Sequence, residues 1–177
     1  MKNKVITIFG SSFPKPKDKE YEFAYELGKK LGEKNFTICN GGFYGIMEAT
    51  AKGAFHAGAH TIGVTVGLWN LSANPFIKEE IPCKTLFERI EKLINLADAF
   101  IILKGGTGTL LELASILEFL NKNLLNSRPI VADKEYWSFI INLMNKRNEY
   151  EGRKKVQVLL SDNINEIIGY LEEKLEK

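Results

Sequence analysis

The chain has 177 residues, a length typical of one domain that buries its own hydrophobic core. Hydrophobic residues make up 45% and charged residues 26%, which is typical of globular proteins and excludes a disordered or collagen-like chain. Lys and Arg number 24 and Asp and Glu number 22, so the net charge is +2. Because basic and acidic residues are nearly equal in number, there is no electrostatic argument for binding nucleic acid or a membrane.

The two cysteines, Cys39 and Cys83, are too few for a disulfide framework or a Cys-x-x-Cys metal site. The apolar run at 5–9 is too short for a signal peptide, and no run approaches the roughly 20 apolar residues of a membrane span. We therefore expect a soluble protein of the reducing cytoplasm.

Short β-rich runs alternate with helical patterns along the whole chain. Strands are predicted at 5–9, 36–39, 61–66, 99–103, 129–132 and 157–160. Helices are predicted at 18–34, 45–56, 85–96, 109–122, 137–147 and 163–174. The stretch 67–82 is predicted to be irregular, with a turn at Asn74-Pro75.

This alternation is typical of an α/β fold, and a strand that is apolar throughout, such as 99–103, is typical of a sheet covered on both faces. We predict one Rossmann-like domain over residues 1–177, with a mostly parallel sheet of about six to seven strands and helices on both faces. Ligands of such sheets bind beyond the carboxyl ends of the strands, so the loops that follow the strands are the candidate sites.

Three of these loops are rich in glycine and hydroxyl residues. They are Gly10-Ser11-Ser12, Asn40-Gly41-Gly42 and Gly105-Gly106-Thr107-Gly108-Thr109. Glycine lets a backbone approach a ligand closely, and the free N–H groups at the start of the following helix attract anions. The third loop therefore predicts a phosphate or carboxylate site, with a merely connecting turn as the alternative. It is neither a P-loop nor a full dinucleotide fingerprint, since Leu111 stands where the third glycine is expected.

Two charged residues on predicted helices, Arg89 and Glu112, have no oppositely charged neighbour three or four positions away. The ordinary pairs on these helices are Glu88 with Lys92 and Glu118 with Lys122. An unmatched charge beside an apolar stripe is a candidate functional group. The alternatives are a favourable helix-dipole position for Glu112 and, for Arg89, a stem on apolar surface with its head in water.

These motifs together resemble the LOG (Lonely Guy) family of nucleoside 5′-monophosphate phosphoribohydrolases, long labelled possible lysine decarboxylases. The family signature P-G-G-x-G-T-x-x-E is matched from Lys104 to Glu112 at every position except the proline, where Lys104 stands. The run from Asn40 to Glu48 partly matches G-G-G-x-x-G-L-M-G. The loop after the first strand is similar to the family's G-S-S, and Arg89 matches the arginine that precedes an A-F-I strand.

The resemblance implies hydrolysis of the N-glycosidic bond of an AMP-like nucleoside 5′-monophosphate to free base and ribose 5-phosphate, without a metal or other cofactor. It implies that Glu112 stabilises an oxocarbenium-like transition state and helps to activate water, and that Arg89 positions the substrate. It also implies a homo-oligomer, a dimer or higher. The implied substrate- and phosphate-binding residues are Gly10, Ser11, Ser12, Gly41, Gly42, Met47, Gly105, Gly106, Thr107, Gly108 and Thr109.

The chain departs from plant-like members of the family at Lys104, at Ile90, where those members carry lysine, and at Leu111, where they carry an acid. Specificity for cytokinin nucleotides is therefore not implied. Alternatives are a non-catalytic carrier of a phosphorylated ligand such as molybdenum cofactor, a nucleotide sensor, and a metal enzyme using His56 and His60. The aromatic candidates for stacking on a base are Phe13, Phe43 and Tyr44. Apolar residues that favour an interface or a larger core are Phe119, Leu120, Leu124 and Leu125.

Overall fold

The computed structural model describes residues 3–69 and 71–175, in which strands and helices alternate. The strands are β1 (Val5–Phe9), β2 (Thr37–Asn40), β3 (Thr61–Val66), β4 (Glu79–Cys83), β5 (Ala99–Ile102), β6 (Ile130–Ala132) and β7 (Leu159–Leu160). The α-helices are α1 (Lys19–Glu33), α2 (Ile46–His56), α3 (Leu86–Leu96), α4 (Thr107–Asn121), α5 (Lys134–Tyr150) and α6 (Ile164–Leu175). A short 3₁₀ turn at Gly67–Trp69 follows β3. None of the helices in these ranges is long and apolar enough to cross a bilayer.

The strands form one parallel sheet in the order β4-β3-β2-β1-β5-β6-β7. The strands β2, β3 and β4 extend the sheet to one side of β1, and the chain then crosses to β5 on the other side. The predicted parallel α/β fold is confirmed. In open sheets of this kind, ligands bind at the carboxyl ends of the strands where the strand order reverses, which here lies between β1 and β5.

The strand β4 was not predicted. Residues 67–82 are expected to be irregular, and β4 (Glu79–Cys83) overlaps the end of that stretch. It carries Glu79, Glu80 and Pro82, so it has no apolar run. In the described part of the sheet it pairs with β3 alone, and proline is tolerated on such an edge strand because a missing N–H breaks no inner ladder. That part of the prediction is wrong, and the remaining differences are shifts of element ends.

The core lies on both faces of the sheet. Alternate residues of β1 point to opposite faces, so Val5 and Phe9 pack with α3, α4 and α5, while Ile6 and Ile8 pack with α1, α2 and α6. Burying each large aliphatic or aromatic side chain contributes roughly 1.5–3 kcal/mol. As a consequence, the two helices that carry Arg89 and Glu112 lie on the same face of the sheet.

The helices α1 and α2 pack with their backbones in close contact. A Cβ atom on Gly28 would lie 2.2 Å from the carbonyl oxygen of Thr50, and one on Gly53 would lie 2.0 Å from that of Tyr25. Both distances are far below van der Waals contact, and neither carbonyl belongs to a movable side chain. These two glycines therefore set how closely the helices approach.

Replacing Gly53 with alanine should lower the free energy of unfolding by about 1–3 kcal/mol, because the new methyl group overlaps the Tyr25 carbonyl. Gly169 on α6 is the matched control, since a Cβ there has nothing within 4 Å. Gly169→Ala should raise stability by up to about 1 kcal/mol through helix propensity. Urea unfolding followed by circular dichroism measures both, and equal effects of the two alanines would contradict this packing.

Candidate functional site

Arg89 lies on the buried face of α3, and its side chain is only 6% exposed. The helix begins after Thr85, whose hydroxyl oxygen accepts a hydrogen bond from the backbone N–H of Glu88 at 3.1 Å. The Nε atom of Arg89 donates to the carbonyl oxygen of Val64 at 2.7 Å, and Nη2 donates to that of Gly41 at 3.2 Å. Carbonyl groups of β3 and of the turn after β2 therefore hold the guanidinium inside the protein.

The turn after β2 is shaped around this guanidinium. A Cβ on Gly41 would lie 1.7 Å from Nη2 of Arg89, so a side chain there would displace the arginine. The Phe43 ring lies 5.6 Å from Cζ of Arg89, and the Met47 sulfur lies 3.9 Å from Nη2. The hypothesis that Arg89 keeps its head in water is therefore wrong. Phe43 is buried against the arginine, whereas the other aromatic candidates near the loops, Phe13 and Tyr44, are exposed.

Glu112 lies in the second turn of α4 with its side chain 13% exposed. Its Oε1 atom lies 3.9 Å from Nη1 of Arg89, so the two charges that lacked a helical partner face each other. Burial raises the pKa of the Glu112 carboxyl to about 7, and the positive charge of Arg89 opposes that rise. The result is a buried carboxyl that changes its charge near neutral pH.

The glycine loop between β5 and α4 ends in an uncapped helix start. Gly106 is the N-cap and offers no side chain, and the first turn of α4 contains no acidic residue. The first N–H groups of a helix have no helical acceptor, so Thr107 and Gly108, both exposed, bring free donors and the positive end of the dipole to the surface. Thr109 is buried, and its hydroxyl fills the space where a Cβ of Gly105 would lie. An anion fits the exposed part of this loop.

The loop after β1 joins the other two loops. The backbone N–H of Ser11 donates to the carbonyl of Lys104 at 3.0 Å, and its carbonyl accepts from Ile46 at 2.9 Å. Gly45 has a φ of +68°, and a Cβ there would lie 2.5 Å from the Ser11 carbonyl oxygen. A Cβ on Gly10 would collide with the Ile46 side chain at 2.6 Å. The chain therefore brings three predicted loops together, with Ser12 exposed at their edge.

Gly42 lies beneath this site. It has a φ of +77°, its N–H donates to Oδ1 of Asn40 at 2.8 Å, and its carbonyl accepts from the Asn74 backbone at 2.8 Å. Both of its backbone polar groups are thus used inside the protein. Gly42 shapes the turn that presents Gly41 to Arg89.

The first turn of α5 braces the glycine loop, which sequence reasoning missed. The Tyr136 hydroxyl donates to the Gly105 carbonyl at 2.9 Å, and the Trp137 ring N–H donates to the Leu103 carbonyl at 3.0 Å. The sequence predicts a helix that begins at 137, which places Tyr136 in the preceding loop, whereas α5 begins at Lys134. Asp133 was the signal, because its carboxylate accepts the Tyr136 backbone N–H at 2.9 Å as an N-cap.

Lys104, the departure from the family signature, takes part in the same brace. Its Nζ atom lies 2.6 Å from Oε2 of Glu135, and this hydrogen bond raises the pKa of Lys104 and lowers that of Glu135. The side chain is directed to α5 and adds an ionic contact between the two elements. A surface pair of this kind contributes little to stability.

The two histidines are engaged elsewhere. Nδ1 of His56 lies 3.1 Å from the Tyr25 hydroxyl, and Nε2 of His60 lies 2.8 Å from a carboxylate oxygen of Glu79. Over residues 3–69 and 71–175, no three His, Cys, Asp or Glu side chains are grouped as metal ligands.

A model of the SLOG cluster4 family matches residues 3–166. The chain belongs to this family. This SLOG cluster4 protein is 34% identical over 112 residues to a pyrimidine/purine nucleotide 5′-monophosphate nucleosidase of Escherichia coli, a match that covers 58% of the chain and 25% of that protein. It is 31% identical over 124 residues to the cytokinin riboside 5′-monophosphate phosphoribohydrolase LOG7 of Arabidopsis thaliana, covering 64% of the chain and 54% of that protein. The resemblance to the LOG family is confirmed, although the chain spans only about a quarter to a half of these relatives.

Among solved structures, the molybdenum cofactor binding protein of Rippkaea orientalis superposes on this SLOG cluster4 protein with a TM-score of 0.79. The superposition covers 99% of both chains at 21% sequence identity. At this identity the likeness confirms the fold.

The raised pKa of Glu112 should make stability depend on pH. The carboxyl protonates at about 7 in the folded chain and near its ordinary 4.5 when unfolded, so the folded state binds more protons between these values. Stability is therefore lost as pH rises through this window. Glu112→Gln removes this pH dependence. The free energy of unfolding of the variant minus that of the parent should therefore increase by about 2 kcal/mol from about pH 5 to about pH 8.

Urea unfolding at the two pH values measures this difference. Glu118→Gln is the control for the loss of one charge, since Glu118 lies on the same helix with its side chain 53% exposed. A relative stability of Glu112→Gln that stays constant with pH would contradict the perturbed carboxyl.

Proposed function

We propose that this protein hydrolyses the N-glycosidic bond of a nucleoside 5′-monophosphate, with AMP as the representative substrate, to the free base and ribose 5-phosphate. The observation that carries the proposal is the buried pair of Arg89 and Glu112, 3.9 Å apart and adjacent to the glycine loop. Residues 1–177 act in this proposal as one nucleotide-binding domain. Relatives named for reactions at nucleotide and cytokinin riboside 5′-monophosphates support the substrate class.

The proposed reaction begins with the 5′-phosphate at the start of α4. The free N–H groups of that turn neutralise the phosphate, and Thr107 offers a hydroxyl donor beside them. Gly10, Ser11 and Ser12 form the neighbouring wall of the crevice. Placing the phosphate here fixes the distance from the ribose to Glu112.

The bond that breaks is the one between C1′ and the base nitrogen, and its electron pair leaves with the base, which takes up a proton. Positive charge develops on the ribose in the transition state, and the ionised carboxylate of Glu112 stabilises it. A water oxygen then bonds to C1′ and gives up its proton, which Glu112 accepts. Arg89, fixed by the carbonyls of Val64 and Gly41, orients the ribose phosphate and supports departure of the base.

We further propose that the protein forms a homo-oligomer, a dimer or higher, in the cytoplasm. Phe119 and Leu120 pack against the core and Leu125 is buried, but Leu124 is 71% exposed. A groove of about 380 Å³ between α4 and α5, with walls formed mainly by apolar side chains, supports contact with a second copy. The free cysteines Cys39 and Cys83 are both buried, which suits a reducing compartment.

The test is turnover of a panel of nucleoside monophosphates that includes AMP, with free base and ribose 5-phosphate measured by chromatography. Glu112→Gln should lower kcat by about 10²-fold or more, because the amide carries no charge to oppose the oxocarbenium ion and cannot accept a proton. Glu118→Gln removes an exposed carboxylate of the same helix and should leave kcat unchanged.

Two results would overturn the proposal. One is cleavage that survives in Glu112→Gln. The other is binding of nucleotides or pterin phosphates without cleavage of any panel member. That result would favour a non-catalytic carrier or binding protein for a phosphorylated ligand, since the Rippkaea orientalis structural neighbour is named a molybdenum cofactor binding protein.

The pH dependence of the same reaction is a separate expectation. Since Glu112 acts as a carboxylate and its pKa is about 7, kcat/KM should rise with pH and level off above that value. Initial rates measured across this range in buffers of constant ionic strength check it. A rate that falls as pH rises through about 7 would mean that the protonated acid is the active form.

A further inference from the structure

A cavity of about 840 Å³ lies at the opposite end of the sheet from the candidate site. Its walls include Ile130, the first residue of β6, and Val156 and Gln157, which precede β7. Since all strands are parallel, this is the amino end of the sheet, whereas the glycine loops lie at the carboxyl end. The cavity is therefore separate from the crevice proposed for the nucleotide.

The wall of this cavity is cationic. Among the described residues that line it are five basic side chains and no carboxylate. The basic residues are Arg128, Arg153, Lys154, Lys155 and Lys174. Neutral hydrogen-bond donors, among them Asn121 and Ser127, lie between them. Such a lining is complementary to an anion with several charged groups.

Three of these cations have acidic partners at exposed positions. Lys155 lies 3.2 Å from Glu149, Arg153 lies 3.4 Å from Glu151, and Lys174 lies 3.2 Å from Glu173. The six side chains are 29–64% exposed, and pairs of this kind are worth only about 0–1 kcal/mol each. A multivalent anion could therefore compete for these cations at little cost.

The other two cations add charge that these carboxylates do not match. Lys154 makes no ion pair within the described ranges. Arg128 donates from Nη1 to the Ile94 carbonyl at 2.7 Å, which fixes its head at the wall, and the opposing charge near it is that of Asp98, outside the cavity lining. Glu151 is shared with Arg147. Asp98, which acts on Arg128, is also paired with Lys4, so the cations around the cavity outnumber the carboxylates.

The cavity also has an apolar side. Leu120, Leu125 and Val156 form part of its wall, and Tyr170 contributes an aromatic ring. Its volume is within the range of 300–1,000 Å³ that is usual for small-molecule sites. An inorganic ion alone would leave the apolar part uncovered, so the lining favours an organic molecule with charged groups at one end.

We propose that this cavity is a second ligand site, which binds a small organic molecule carrying two or more phosphate groups. The net positive charge of the five-cation wall favours a multivalent anion, and the apolar wall accommodates the organic part. The site does not depend on the proposed hydrolase function, since none of its lining residues belongs to the candidate active site.

The cavity lies next to both helices of the candidate active site, α3 and α4. Arg128 binds the carbonyl of Ile94 near the end of α3, the helix that carries Arg89. Asn121 is the last residue of α4, the helix that carries Glu112. An occupant would touch the far ends of the two elements that hold the catalytic pair.

The experiment is calorimetric titration of the full chain with inorganic triphosphate at constant ionic strength. Lys154→Gln together with Lys155→Gln should weaken binding by about tenfold, because two charges leave the cavity wall. The matched control is Lys84→Gln together with Lys92→Gln, which removes two exposed lysines that do not line the cavity and should leave the affinity unchanged. All four positions are exposed, and thermal melts check that each variant folds.

A third variant separates this site from the glycine loop. Gly108→Asp places a negative charge at the exposed start of α4, where a Cβ meets nothing within 4 Å, so it repels phosphate from that loop alone. Binding of triphosphate should persist in this variant. Loss of binding in Gly108→Asp, equal affinities in the two double variants, or no binding by the parent chain would each overturn the second site. The titrations measure binding of triphosphate and not turnover, so they test the second site even if the protein hydrolyses no nucleotide.

Discussion

The buried guanidinium of Arg89 is the charge around which the site is arranged. Removing an arginine from water costs several kcal/mol unless its donors and its charge are matched. Here the carbonyls of Val64 and Gly41 accept two of its donors, the Phe43 ring faces its cation, and Glu112 supplies the opposite charge. The buried guanidinium therefore accounts for two features of the site, the lack of a Cβ at Gly41 and the carboxyl of Glu112 on α4.

The topology explains why these groups meet. The helix α3 leads into β5 and α4 leaves it, and both pack on the same face of the sheet. Because β5 lies next to β1 at the point where the strand order reverses, the crevice expected of such sheets lies at the carboxyl ends of these two strands. Arg89 and Glu112 thus reach the same crevice from the two helices that flank a single strand.

Hydrophobic patterns in the sequence predict the buried elements. They do not predict features that depend on contacts with distant parts of the fold. The apolar runs of the central strands identified the parallel fold, and the missing helical partners of Arg89 and Glu112 singled out the pair. The edge strand β4 has no apolar run, so no hydrophobic pattern predicts it. The brace by Tyr136 depends on the N-cap at Asp133, which periodicity does not record. The burial of Arg89 against Phe43 could not be predicted, since it arises from contacts between distant loops that no periodicity records.

In the proposed reaction, the electrostatics of Arg89 and Glu112 favour the transition state over the bound substrate. Burial raises the pKa of Glu112 while Arg89 opposes the rise, so the carboxylate exists at neutral pH but is poorly solvated. A substrate phosphate at the start of α4 brings further negative charge and gives this carboxylate no compensation. Under the proposed mechanism, positive charge developing at the ribose would compensate it, so the attraction would grow only as the glycosidic bond breaks. Catalysis requires this difference, because binding that is equal in the ground state and the transition state does not raise kcat.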